Sequence, residues 1–361
     1  MEPVFSPRWI GRGATHNPPN RFESTRHEAD DEQLTPDDEL LTPQRRIATQ
    51  FLPDQSATIL RENDSPDIPF RYSLNPYRGC EHGCAYCYAR PTHETLGMNA
   101  GLDFESRILV KHDAADLLRQ ELNHPRWQAE PIMMAGVTDC YQPAERRFRI
   151  TRSLLEVLWE ARQPVCIVTK NALILRDADL LAAMAACRLV SVAISVTTLD
   201  PELAGTLEPR TSTPAARLRA IRELSARGVP VRAMVAPVIP GLTDEELPAI
   251  LAAARDAGAR GASWVLLRLP LAVAPIFLDW LKTHRPLQAA RVESRLRQTR
   301  HGKLYHAAFG ERMSGHGPYA ALLDQTFQVL RRKLGLDQPW PPLDCSQFRP
   351  PRLPGGQLRL F

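Results

Sequence analysis

The chain has 361 residues, with 43% apolar and 24% charged side chains and a net charge of +4. That length suits one large domain with tails or two modest domains, and the composition is that of a soluble globular protein. No stretch offers the roughly 18 unbroken apolar residues of a membrane span, and the opening MEPVFSPRWIGRG lacks the apolar run of a secretion signal, so a cytoplasmic protein with no membrane partner is expected.

Residues 1–66 are rich in Pro, Asn, Asp, Glu and Arg, with little periodicity. They are expected to form an extended or disordered N-terminal arm, in which QRRIATQFLPDQSATILREND is the part suited to packing on the main domain. A strand–helix alternation then fills residues 67–285. Strands are expected in the segment leading into Cys80 and at 131–137, 164–170, 189–196, 230–239 and 262–270. Helices are expected at 151–163, 176–187, 213–228, 243–258 and 274–284. The helix at 213–228 opens with Thr-Pro and closes with Gly, the expected caps. Near-continuous apolar strands separated by helices imply a parallel sheet covered on its outer face. Six such units imply an α/β fold built as a partial, open (β/α)6 barrel, with a doubly wound sheet as the alternative. In either, polar residues at the strand C-termini line the active site. Residues 286–336 are expected to form a basic helical cap, since 282–333 hold eleven Lys or Arg against three Asp or Glu. A Pro-rich loose tail, 337–361, ends the chain.

Seven cysteines, an odd number, are grouped as one cluster and scattered singles. That is no disulfide framework and fits a reducing compartment. Cys166 and Cys187 read as small core residues. The cluster is NPYRGCEHGCAYCYAR, residues 75–90, in which Cys80, Cys84 and Cys87 are spaced C-x3-C-x2-C with no fourth cysteine nearby. Three arrangements suit it: zinc completed by His82 or His93, an iron–sulfur cluster completed by a distant cysteine, or a [4Fe–4S] cluster with one iron left open. An open metal position serves a substrate or cofactor that must bind metal directly, and the loop after a first barrel strand is where such chemistry sits.

With the aromatic Tyr86 before the last cysteine, the motif resembles the signature of the radical S-adenosylmethionine (SAM) superfamily. The resemblance implies the partial (β/α)6 barrel and a [4Fe–4S] cluster on Cys80, Cys84 and Cys87. The SAM amino and carboxylate groups would chelate the fourth iron. An external one-electron reductant of flavodoxin or ferredoxin type would drive cleavage of SAM to methionine and a 5′-deoxyadenosyl radical that abstracts hydrogen from substrate. The longer runs VTDCYQPAERRFRITR, SVTTLDPELAGTLEPRTSTPAARLRAI and MVAPVIPGLTD resemble the DNA-repair-photolyase-like branch related to spore photoproduct lyase, over about residues 68–335. That branch implies a nucleic-acid lesion or base as substrate. A peptide or small molecule is the alternative substrate, and a non-enzymatic metal-binding module the alternative function.

The same resemblance assigns further candidates. Thr138 and Asp139 suit the SAM ammonium. Lys170, at the end of the third strand, and Arg210 suit its carboxylate. Ser195, with Thr197, suits the ribose hydroxyls, and Ile239, with Val238, the adenine. Tyr86 lies against the cofactor by position. Cys140 lies in a loop analogous to the one from which photoproduct lyase presents a hydrogen-donating thiol, although the branch usually reads Asp-Pro-Tyr there, so Cys140 is a candidate catalytic residue that departs from its branch. Tyr141 and Glu145 share that loop, Glu145 with Arg146 or Arg149 as alternative partners. Arg312, His316 and Tyr319, in a Gly-rich stretch, suit phosphate or base contacts, and a structural loop is the plainer reading there.

Overall fold

A computed structural model describes residues 10–22 and 47–353. Among these residues are ten strands: β1 (Gln50–Pro53), β2 (Leu60–Glu62), β3 (Tyr72–Leu74), β4 (Tyr77–Arg78), β5 (Arg107–Val110), β6 (Ile132–Met134), β7 (Val165–Thr169), β8 (Val190–Ser195), β9 (Val231–Val238) and β10 (Gly261–Leu266). The main sheet runs β10-β9-β8-β7-β6-β3-β2. Six of its strands, β3 and β6 to β10, are parallel neighbours in sequence order, and β2 pairs antiparallel to β3 at one edge. Strand order that never reverses has no switch point, which excludes the doubly wound alternative and gives the open six-unit barrel. β8 is almost wholly buried along VSVAIS, as a β-branched strand with both faces covered should be.

The covering helices are α1 (Ala114–Leu122), α2 (Ile150–Glu160), α3 (Ala178–Ala186), α4 (Pro214–Ala226) and α5 (Leu247–Asp256), followed by α6 (Val273–His284), α7 (Pro286–Gln298) and α8 (Pro318–Lys333). α2 buries Ile150, Leu154, Leu155 and Leu158, one face at helical spacing. At the start of α4, Thr213 accepts from the Ala216 amide at 3.3 Å, with Pro214 in the first turn. Pro248 is tolerated because it sits in the first turn of α5.

Three regions differ from the sequence-based expectation. Within the arm, β1 and β2 are strands: β1 joins β5 and β4 in a small second sheet, and β2 edges the main one. Residues 10–22 lie against the cysteine loop, while the acidic run at 28–39 falls outside the described residues. The C-terminal helices do not form a common cap over the barrel mouth. α8 packs on the outer flank against α5 and β10, because its Leu323 and Phe327 complete the main core. α7 alone reaches the cysteine-loop side, through Val292 and Leu296. The tail is not loose over its described part. Its amides at Asp344, Arg349 and Arg352 donate to Arg188 O (2.9 Å), Ala161 O (2.9 Å) and the Glu160 carboxylate (2.8 Å). The segment therefore runs along the rim where the strands begin, and two of its acceptors are carbonyls left unpaired at helix C-termini.

Candidate functional site

The cysteine loop leaves β4 and is fixed from four directions. The Cys80 amide donates to Phe104 O at 2.9 Å. Gln142, from the loop after β6, accepts from the Glu81 amide (2.8 Å) and donates to Gly79 O (3.1 Å). Arg90, fully buried, donates to Cys84 O and to the carbonyls of Ala100 and Gly101, and pairs with the fully buried Glu105. Glu105 in turn accepts from the amides of Gly13 (3.0 Å) and Ala14 (2.8 Å), which lays residues 10–22 across the loop. That crossing needs glycine: a Cβ on Gly13 would stand 1.8 Å from Gly83 O.

The three thiols are free, Cys80 and Cys84 buried and Cys87 partly so. Burial pushes all three up from the ordinary thiol value. The buried negative charge of three thiolates needs a cationic partner, and a soft metal centre supplies one. Neither candidate histidine completes a zinc set here. His82 has Nδ1 3.4 Å from Asp139 and Nε2 3.1 Å from the Asn171 amide nitrogen. Burial holds it down to about 4, with Arg217, Lys170 and Arg210 adding to the effect and Asp139 opposing it. His93 turns Nε2 to Arg107 O at 2.9 Å and packs edge-on to Phe104. The donor set thus fits a multi-iron cluster better than zinc.

Beside the thiols lies a buried polar network that sequence reasoning only half found. Tyr86 donates to Glu208, which also accepts from Thr197 (2.8 Å), stands 3.1 Å from Lys170 Nζ and pairs with Arg217. Lys170 Nζ donates to Thr197 (3.2 Å) and to Ala236 O (2.9 Å) and lies 5.6 Å from the Tyr86 ring centre. Burial, followed by Arg217, lowers Lys170 to about 8, and burial raises Glu208. Glu208 sits in the same LEPR stretch as Arg210, so the signal lay two residues from the residue chosen. Arg210 itself reaches Glu81 (3.2 Å) and Thr49 (3.2 Å), beside Cys80.

The remaining candidates divide. Asp139 accepts from Thr169 Oγ1 (2.7 Å) and from the amides of Lys170 (2.7 Å) and Tyr141 (2.9 Å), tying the ends of β6 and β7 together. Thr138 donates to Tyr77 O at 3.1 Å. Ser195 is buried, and its carbonyl accepts from Arg217. Ile239 is fully buried in an apolar group with Cys84, Tyr86 and Leu267, whereas Val238 joins the main core. Cys140 and Tyr141 also lie in the main core with no exposed surface, not at the mouth. The Glu145 carboxylate pairs with Arg176 (2.8 Å), accepts from the buried Tyr77 and forms no ion pair with Arg146 or Arg149. Tyr319 donates to Asp244 under the Arg295 guanidinium, and Arg312 pairs with Asp67 at 2.6 Å. Next to Cys87, Tyr88 donates to Gly136 O beneath Arg268, 4.8 Å from its ring centre.

An open parallel barrel with three unpaired thiols in the loop after its first parallel strand defines a metal-cluster protein of the α/β class. The family comparison agrees: residues 74–254 match the model of the Radical SAM superfamily. The chain belongs to that superfamily, whose members bind SAM and a [4Fe–4S] cluster. An uncharacterised protein of Mycobacterium tuberculosis is 42% identical over 226 residues, 62% of this chain and 66% of the relative, so the match spans just under two thirds of that relative's length. An uncharacterised protein of Methanocaldococcus jannaschii is 31% identical over 176 residues, 49% of this chain and 63% of the relative. Among solved structures, spore photoproduct lyase with bound AdoMet and a dinucleoside spore photoproduct superposes with a TM-score of 0.55 at 16% identity, covering 79% of this chain and 78% of that one. That likeness is one of fold. No helix among the described residues is long and apolar enough to cross a membrane.

Proposed function

We propose that this chain is a radical SAM enzyme in which Cys80, Cys84 and Cys87 hold three irons of a [4Fe–4S] cluster and leave the fourth for SAM. The observation that carries this is the set of three free thiols fixed in one loop, with His82 and His93 each turned to other partners. Reduced by an external one-electron donor, the bound pair supplies a 5′-deoxyadenosyl radical for hydrogen abstraction. The protein's own part is positioning. The Arg90–Glu105 pair and Gln142 fix the loop backbone. Tyr86, backed by the fully buried Ile239 and Leu267, is the apolar side chain beside Cys84 nearest to where an adenine would lie. Lys170 and Arg210 lie beside the loop as cations for a carboxylate, each already held by an acid, Glu208 and Glu81 respectively. Thr138 and Asp139 hold backbone in place at the strand ends, and Arg217 holds the carbonyl of Ser195.

For substrate we favour a nucleic acid. Arg268 and the buried Arg300 carry no ion pair to a carboxylate among the described residues, and the Nε of each is buried without a hydrogen-bond partner. Tyr88, 46% exposed, adds an aromatic face beside them. The Arg268 guanidinium and a stacking surface suit phosphate and base, while Arg300, held by the carbonyls of Glu311 and Leu267, adds positive charge beneath them. The similarity to spore photoproduct lyase supports the same reading.

Anaerobic reconstitution with iron, sulfide, SAM and dithionite tests the chemistry. A brown protein that yields 5′-deoxyadenosine by mass spectrometry is expected, with Cys84→Ala losing both cluster and product. Zinc alone in the purified protein, or product from the variant, would overturn the reading. Retention on DNA or RNA that falls steeply with salt tests the substrate class, and no binding at low salt counts against it.

A further inference from the structure

Between α7 and α8 the chain repeats one spacing: His301, His306, Glu311 and His316 each stand five residues apart. The turns of this segment gather the three imidazoles about one carboxylate. His301 Nε2 lies 2.8 Å and His306 Nδ1 3.3 Å from Glu311 Oε2, and His316 Nδ1 lies 3.5 Å from Oε1. The rings of His301 and His316 are 4.1 Å apart, those of His301 and His306 4.7 Å. One donor atom each from His301, Glu311 and His316 falls within a common span of 4.8 Å, a condition no other group of three or more His, Cys, Asp or Glu meets among the described residues.

Hydrogen bonding alone does not account for the group. Only His301 donates to the carboxylate, and the His306 Nδ1 is buried with no hydrogen-bond partner. With all three imidazoles protonated, three cations would crowd one carboxylate. With them neutral, one ring N–H serves the carboxylate from His301, while His306 Nδ1 stays buried without a partner. A divalent cation removes both difficulties, because neutral imidazole nitrogen and carboxylate oxygen are the ligands zinc and its neighbours take. A tetrahedral shell with bonds of about 2.05 Å puts donor atoms roughly 3.4 Å apart, close to the two longer separations here, and the exposed His301 and His316 rings are free to turn. The nearby guanidinium groups do not fill the site: Arg312 is held by Asp67, and Arg300 donates to the carbonyls of Glu311 (3.0 Å) and Leu267 (2.8 Å).

We infer that His301, Glu311 and His316, with His306 beside them, form a second metal site, separate from the cysteine loop, for one divalent transition metal of the zinc class. Three ligand atoms lie within reach of one ion, with the half-buried His306 beside them as the candidate fourth. The segment already rests on the end of β10, where the Leu266 amide donates to Met313 O at 2.8 Å. It is also tethered through the Gly310 amide to Asp67 at 2.7 Å. Its fit is close, since a Cβ on Gly315 would stand 2.6 Å from the Leu266 side chain. A metal there would staple the segment beside Arg268 at the barrel mouth.

The test uses the full chain with its cysteine loop reconstituted with iron and sulfide, equilibrated with Zn2+ and freed of excess. One equivalent of zinc is expected. Its X-ray absorption should show nitrogen and oxygen neighbours at about 2.0–2.1 Å and no sulfur at about 2.3 Å. Glu311→Gln and the double variant His301→Ala/His316→Ala should weaken zinc binding at least about ten-fold while leaving the iron content unchanged. No retained zinc, sulfur in the zinc shell, or full zinc content in both variants would overturn the site. Should the variants misfold, the absorption spectrum of the unaltered protein still decides, since thiolate and imidazole shells differ in bond length.

Discussion

The two sides of the barrel mouth are built in opposite ways. On the cysteine side, a buried ion pair, a glutamine clamp and an overlying N-terminal segment hold one loop, and Arg90, Glu105, His82 and His93 are all nearly or wholly buried. On the far side, residues 299–317 carry exposed or half-buried histidines and rest on β10 through a few hydrogen bonds. Rigid, satisfied surroundings suit a group that must be held in one geometry, while a lightly held segment suits the side that meets a variable partner. The difference explains why the cofactor class is easier to read from this molecule than the substrate.

The sharpest way to break that comparison is to remove one acid from each side. Glu105→Ala leaves the Arg90 charge buried without its partner and frees the amides of Gly13 and Ala14. A loss of about 3–5 kcal/mol is expected, with release of residues 10–22 to protease. Asp67→Ala removes the acceptor of Arg312 and Gly310. It should expose residues 308–314 to protease while lowering global stability by only about 1–2 kcal/mol. Urea unfolding of both variants checks the pair. Equal losses would show that the two sides are equally fixed.

A smaller effect separates the histidines. His82 is held neutral by burial, at about 4 against an ordinary 6.5. As pH falls below 6.5 the unfolded chain takes up a proton that the native state refuses, so stability drops through that window and stops changing below about 4. Between pH 7 and pH 5 the expected contribution is about 2 kcal/mol. Anaerobic unfolding at the two pH values should show His82→Asn losing that part of the slope. An unchanged slope in the variant would mean that the imidazole is not buried as described.

Much of this was legible in the sequence, for physical reasons. β8 announced itself because both of its faces are buried, which forces the run LVSVAISV, and α4 because Thr213, Pro214 and Gly228 bracket it. The three cysteines were legible because few chemistries use that spacing. What stayed hidden depends on contacts distant in sequence. Gly13 meets Gly83, Arg90 meets Glu105 beneath the loop, and Glu208 becomes the centre of a network only when Tyr86, Lys170 and Arg217 converge on it. β1 and β2 were hidden because short edge strands, exposed or half-buried, carry no alternation long enough to see.

Cys140 gives the smallest expected effect and the most pointed test of where the mouth ends. By loop position it is a candidate hydrogen donor. Its side chain instead has no exposed surface, burial pushes the thiol well up, and Thr151 fixes its carbonyl from α2 at 2.6 Å. A thiol so enclosed can meet a substrate radical only if the loop after β6 opens, and Asp139 holds that loop by three hydrogen bonds to the backbone of Tyr141 and the end of β7. Cys140→Ala should therefore remove one buried sulfur at a cost of about 1 kcal/mol and leave iron content and 5′-deoxyadenosine formation unchanged. If 5′-deoxyadenosine still forms but turnover of an identified substrate stops, the loop does open and the thiol reacts. If turnover continues, the sulfur is packing, and a hydrogen donor must be sought on the exposed side near Tyr88, where the contacts are fewer and a substrate has room to enter.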